Sequence, residues 1–148
     1  MQRIAQGHRL RAGRVSESNR VYLITAVCHK RQAIFSSFEN GRAFVHAIRD
    51  VEQAITLCYV VMPDHIHWLL QLAEDADLSQ AVQKAKSLTT MALRKSWSGP
   101  IWQRGFHDHA LRKEEDIQAF ARYVVANPLR AGLVKSLRYY SLWDAIWL

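Results

Sequence analysis

One stretch constrains this chain more than any other: Tyr59-Val60-Val61-Met62-Pro63-Asp64-His65-Ile66-His67-Trp68-Leu69-Leu70-Gln71-Leu72. Two β-branched, aromatic and apolar runs flank Pro63-Asp64, so it reads as two strands joined by a short turn. Alternate side chains of a strand point to opposite faces. One face of the second strand then carries Ile66, Trp68, Leu70 and Leu72, a core face. The other carries His65, His67, Leu69 and Gln71. Two imidazoles on a strand otherwise built for a core call for a chemical reason.

Their spacing offers one. Residues two apart on a strand are roughly 6.5 Å apart along the chain. Rings leaning toward each other from there can share one ion at about 2.1 Å per nitrogen. The bland alternative is a polar pair on a solvated sheet face. A second pair, His107-Asp108-His109, has the same spacing with a carboxylate between; alternation places Phe106, Asp108 and Ala110 on one face and the histidines on the other.

The rest of the chain supplies partners for this hairpin. Val21 to Val27 reads as a strand, and Phe44, Ile48, Val51 and Ile55 step as a helix over about Glu39 to Gln53. Asp77, with Gln80 three residues on, starts a helix reaching about Trp97, where Ser98-Gly99-Pro100 stops it. Ile101 to Leu111 reads as extended. A last helix runs from about Glu114 to Asn127, ended by Pro128. The order is βαββαβ with an added C-terminal helix: an α+β, ferredoxin-like or RRM-like antiparallel sheet. Helices on one face would leave the other open.

At 148 residues the expectation is one domain, with a basic arm over residues 1–20 and a tail over 135–148 packing back on it. Hydrophobic content of 49% with 22% charged residues excludes a disordered chain. No apolar run approaches the roughly 20 residues of a membrane span, and there is no apolar signal region, so a cytoplasmic location without a membrane partner is expected. Cys28 and Cys58 sit in strand-like runs without zinc-finger spacing and read as buried free thiols. A net charge of +7 points to a polyanion, most often nucleic acid. Arg9, Arg11 and Arg14 of the arm can grip phosphates without reading sequence.

Three segments in order, Pro63-Asp64-His65-Ile66-His67, Trp102-Gln103-Arg104-Gly105-Phe106 and Tyr123-Val124-Val125-Ala126-Asn127-Pro128-Leu129-Arg130-Ala131-Gly132-Leu133-Val134, resemble the single-tyrosine HUH transposases, most of all the REP-associated tyrosine transposases. The likeness runs from about Arg11 to Trp143. It implies a divalent-metal nickase and strand-transferase acting on single-stranded DNA near hairpins. By resemblance His65 and His67 are metal ligands, Asn127 stands at the third ligand position, and Tyr123 is the nucleophile that becomes joined to a DNA 5′-phosphate. The implied cofactor is Mg2+ or Mn2+ and the implied partner single-stranded or hairpin DNA. Monomer and homodimer both stay open. Arg104, His107, Asp108, His109 and Arg130 join the arm as candidate DNA contacts.

The residues make that chemistry coherent. Tyr123 and Asn127 are four apart and share a helix face, with Asp116 one heptad earlier. His, His and Asn are neutral donors, so the ion keeps its full charge for an anionic phosphodiester. A tyrosine is ionised about one part in a thousand at neutral pH, which adds about 4 kcal/mol to the barrier unless something assists. Two other readings remain: a non-catalytic single-stranded nucleic-acid module using an open RRM-like sheet, and an HUH replication or conjugation initiator.

Overall fold

The computed structural model describes residues 20–112, 117–136 and 140–145. The basic arm with Arg9, Arg11 and Arg14 lies outside them, as do Asp116 and Tyr139. Strand β1 is Val21–Val27, helix α1 Phe38–Arg49, β2 Ala54–Met62, β3 His65–Leu72, α2 Leu78–Ala92, β4 His107–Ala110, α3 Ile117–Val125, α4 Asn127–Arg130 and β5 Trp143–Ala145. The sheet runs β4-β1-β3-β2-β5 with every pair antiparallel. The first four strands follow the expected βαββαβ order, and the C-terminal tail adds a fifth strand along β2.

The Pro63-Asp64 turn joins β2 to β3 in the register the hairpin predicts, with Met62 opposite His65 and Val60 opposite His67. Ile66, Trp68, Leu70 and Leu72 are no more than 1% exposed. They pack under Phe44, Val45 and Ile48 of α1 and Leu78, Val82 and Ala85 of α2. Trp68 Nε1 donates to Thr56 Oγ1 at 2.9 Å, which satisfies the indole while its ring fills the core.

Two helices end earlier than their apolar stripes suggest. Helix α1 stops at Arg49 because the chain from Ala54 pairs with β3; Ile55, read as helical, is an exposed strand residue opposite Gln71. A register shift between Thr56 and Cys58 bends β2. Helix α2 starts as expected, Asp77 accepting from the Gln80 amide at 3.1 Å. It ends at Ala92, where Leu93 N donates to both Thr89 O and Thr90 O and tight turns lead to Gly99 at φ 99°.

The larger correction concerns the second sheet face, which is not open. Ala121, Val124 and Val125 of α3 pack on Leu23, Cys58, Val60 and Leu69. The sequence of β2 already demanded this: Leu57-Cys58-Tyr59-Val60-Val61-Met62 is apolar on both alternations, as a strand buried on both sides must be. Pro128 does not end the C-terminal helical region either. The helix breaks at Ala126 (ψ 0°), and Pro128 occupies the first turn of the short α4, where its missing N–H costs nothing.

Candidate active site

Antiparallel partners directly opposite each other share a face. Thr25 lies opposite His67 on β3 and opposite His107 on β4, and Val60 lies opposite His67. One row across the sheet therefore reads His107, Thr25, His67, Val60. The next row toward the turn reads Val27, His65, Met62. The His65 and His67 rings stand edge to face with centroids 4.9 Å apart. Two rings that close can both reach one ion at about 2.1 Å per nitrogen.

Each ring is oriented by a neighbour. His65 Nδ1 lies 2.7 Å from Asp64 Oδ1. A carboxylate only accepts, so this nitrogen carries the proton and Nε2 of the neutral ring keeps its lone pair. Burial alone would raise the Asp64 pKa; hydrogen bonding and charge from His65, then from Arg31, outweigh it and hold the carboxyl below its ordinary range. Arg31 reaches Asp64 at 3.2 Å. It does so from a left-handed backbone shared with Lys30, at φ 52° and 53°, an uncommon conformation for non-glycine residues.

His67 Nδ1 lies 2.9 Å from Thr25 Oγ1. Burial, then the neighbouring His65, then Arg130, push the His67 pKa down to about 3, so the ring is neutral at pH 7. This arrangement, a ring nitrogen held by a hydroxyl or carboxylate on the side away from the free one, is the support that metal-binding histidines ordinarily have.

Helix α3 presents Tyr123 to solvent, with 65% of the residue exposed, while its neighbours Val124 and Val125 are buried on the sheet. The Arg130 guanidinium lies over the Tyr123 ring, 3.8 Å from its centroid, and donates to the Tyr123 carbonyl. The charge of Arg130 also contributes, after burial and His65, to lowering the His67 pKa. Asn127 opens α4, which packs against β2, and is half-buried. Among the described residues no three His, Cys, Asp or Glu side chains are grouped as a metal site.

The second H-x-H divides its labour. His109 stacks on Phe120 of α3, centroids 5.6 Å apart and planes 6° apart, which fastens the tyrosine helix to the sheet edge. His107 shares the face of His67 but stands two strands away, roughly 10 Å. Burial lowers its pKa, and its Nδ1 makes no hydrogen bond among the described residues. Asp108 points to the opposite face and is buried. Arg104 is exposed on the loop before β4. Cys28 and Cys58 are free and buried, and burial pushes both thiols up to about 12, too high to react near neutrality.

Sequence reasoning missed Thr25 and the grip of Arg130 on Tyr123. Thr25 did leave a signal, as the one hydroxyl on an aliphatic stem in the run Val21-Tyr22-Leu23-Ile24-Thr25-Ala26-Val27.

Residues 16–127 match the family described as IS200-like transposases. The REP-associated tyrosine transposase of Escherichia coli K12 is 34% identical over 80 residues, covering 53% of this chain and 47% of that protein. A Haemophilus influenzae relative is 31% identical over 96 residues, covering 56% and 54%. The chain thus spans about half the length of the curated relatives it matches. Among solved structures, a REP-associated tyrosine transposase bound to a REP hairpin superposes with TM-score 0.72 at 25% identity, covering 88% of this chain and 79% of that one. With most of its length matched, the chain belongs to the IS200-like transposase family.

Proposed function

We propose that this chain is a metal-dependent single-stranded-DNA nickase and strand-transferase of the transposase type. It works through a 5′-phosphotyrosine at Tyr123, on DNA that folds into hairpins. The observation that carries the reading is the His65–His67 pair, its rings 4.9 Å apart and each held at Nδ1 by a neighbour, on the sheet face that the helix bearing Tyr123 covers. The hairpin bound by the solved relative supports the choice of substrate.

The donor set fits a divalent ion. His65 is held by Asp64 in the tautomer that frees Nε2, and His67 is neutral at pH 7. His65, His67 and Asn127 would hold Mg2+ or Mn2+, which when bound supplies Lewis-acid polarisation of the scissile phosphate. Thr25 and Asp64 orient the two rings, so little reorganisation is left to the moment of binding.

Tyr123 does the bond-making. Its exposed Oη attacks the phosphorus and the P–O3′ bond breaks. The 3′ oxygen leaves as a hydroxyl after taking up a proton, and the 5′-phosphate is esterified to the tyrosine. Arg130, stacked over the ring and bonded to the Tyr123 carbonyl, holds the phenol in place at the end of the helix. The phosphotyrosine ester retains the energy of the broken bond. A free 3′-hydroxyl can therefore attack it, restore a phosphodiester and release the tyrosine without ATP.

The test is cleavage of a labelled single-stranded hairpin DNA in Mn2+ or Mg2+. Wild type should cut, and EDTA should stop it. Tyr123→Phe and His67→Ala should each bind the DNA without cutting it. Cutting by Tyr123→Phe, or cutting that ignores the chelator, would overturn the reading.

A further inference from the structure

Thr25 stands between two histidines. On the row His107, Thr25, His67 it lies directly opposite each of them, and its hydroxyl is 2.9 Å from His67 Nδ1. A hydroxyl both donates and accepts, so it can bond that nitrogen in two ways. If Thr25 donates, Nδ1 is the acceptor, the one proton of the neutral ring sits on Nε2, and no ring nitrogen is left for an ion. If Thr25 accepts, Nδ1 carries the proton and Nε2 keeps its lone pair. His65 does not face this choice, because the Asp64 carboxylate can only accept. For His67 the direction of one hydroxyl decides whether the ring is ready for metal.

That direction depends on where the Thr25 proton can go, and the far side of the row supplies a place. His107 Nδ1 is buried and has no hydrogen-bond partner among the described residues. A buried nitrogen left without a partner is costly and calls for an explanation. If Thr25 accepts from His67, its own proton needs an acceptor, and the vacant nitrogen belongs to the residue opposite. Residues directly opposite in an antiparallel pair have Cβ atoms about 4.5–5.5 Å apart. Rotation of the His107 side chain from that distance brings Nδ1 within hydrogen-bond reach of Thr25 Oγ1.

We propose that His107 is a positioning residue for the metal site: its Nδ1 accepts the Thr25 hydroxyl proton, Thr25 accepts from His67 Nδ1, and His67 Nε2 is left bare for the ion. The proposal rests on the reading of His67 as a metal ligand and adds what selects its tautomer.

The neighbouring side chains do not compete for the proton. Val60, on the other side of His67, is aliphatic, and the α3 residues packed on this face, Ala121, Val124 and Val125, are apolar. The cations that act on the two rings, Arg130 on His67 and Arg31 on His107, only donate. Asp108 is one residue out of phase with His107 and points to the opposite face. The second H-x-H then has two tasks: His109 fastens the tyrosine helix through Phe120, and His107 prepares His67.

The test reads the His67 tautomer directly, from nitrogen magnetic resonance of the imidazoles in metal-free protein near neutral pH. Wild type should show His67 protonated at Nδ1. His107→Phe keeps a ring of similar shape and removes the acceptor, so part of His67 should shift to the form protonated at Nε2. His107→Asn, whose amide oxygen can stand where Nδ1 stood, should restore the wild-type state, with thermal melts confirming that each variant folds. Calorimetric titration of Mn2+ gives the second readout. Affinity should fall by the inverse of the fraction in the ready tautomer, so a ring that is ready about one-third of the time should bind about threefold more weakly. In a Thr25→Val background, where the relay is already cut, His107→Phe should add nothing to either readout. Wild-type His67 protonated at Nε2, a tautomer that His107→Phe leaves unchanged, or a His107→Phe effect of equal size with and without Thr25 would overturn the proposal. The spectra need neither metal nor DNA. A wild type with the expected tautomer that failed to bind Mn2+ would therefore overturn the metal reading, and the purpose given to His107 with it, while the chain of hydrogen bonds stood.

Discussion

Replacing Thr25 with valine isolates the contribution of ring orientation to metal binding. Thr25 is 9% exposed and touches the site through one hydroxyl, 2.9 Å from His67 Nδ1. Valine keeps the β-branched shape and the strand preference, so the sheet should tolerate it. His67 Nδ1 then loses its partner and the ring is free to turn. Loss of such a supporting hydrogen bond typically weakens a metal site 10–100-fold, or about 1.4–2.7 kcal/mol. The fold should lose about 1 kcal/mol for the missing hydrogen bond, a fall in Tm of about 3 °C. Calorimetric titration of Mn2+ into both proteins reads the affinity, with far-ultraviolet circular dichroism reading the melt. DNA cleavage by Thr25→Val should recover at saturating Mn2+, because no reacting group has been removed. Unchanged Mn2+ affinity would show that Thr25 does not orient a ligand. Cleavage lost even at saturating metal would show that Thr25 acts on something other than His67.

Three further outcomes follow from the same geometry. The folded His67 pKa of about 3 lies below its unfolded value of about 6.5, so its stabilisation is complete above pH 6.5 and is lost as pH falls toward 3; metal-free protein should lose about 1 kcal/mol between about pH 7.5 and 5.5 by urea unfolding, and His67→Asn should flatten that slope. Arg130→Lys keeps the charge but gives up the flat stack on Tyr123, so single-turnover cleavage should slow by roughly tenfold with hairpin affinity changed much less; equal rates would remove Arg130 from the chemistry. A Cβ at Gly41 would clash with Leu142 Cδ1, so Gly41→Ala should destabilise the fold by about 1–3 kcal/mol, and Leu142→Ala in the same chain should relieve part of that, both read by thermal melts.

The hairpin of β2 and β3 was legible because alternation and turn chemistry agree there: the four residues assigned to the core are all buried, though Leu69 on the other face is buried as well, under α3. Asp77 was legible as a cap because capping is local. What sequence reasoning could not reach depended on distant residues. Ile55 continues the helical spacing of α1, yet the ladder to Gln71 takes it into β2. Pro128 reads as a helix stop, but a proline one residue inside a new helix looks the same in sequence. The covering of the second sheet face needed the apolar stripe of α3 to be weighed against the doubly apolar β2. In the site, the H-x-H spacing singled out the histidines. Asp64 beside His65 is local, but the burial that keeps His67 neutral and the Thr25 hydroxyl, 42 positions away, follow no local pattern.

Mapping the covalent adduct tests the central claim most directly. Labelled hairpin DNA is incubated with the protein and Mn2+, the mixture is denatured, and the DNA-bearing peptide is identified by mass spectrometry. The account predicts one modified residue, Tyr123, joined to a 5′-phosphate, with a free 3′-hydroxyl on the released strand. The other described tyrosines are poorly placed. Tyr22 is buried, and burial raises the pKa of both Tyr59 and Tyr140. Tyr140 already donates its hydroxyl to Val61 O. An adduct on any tyrosine other than Tyr123, or cleavage that passes through no covalent protein–DNA species, would contradict the account.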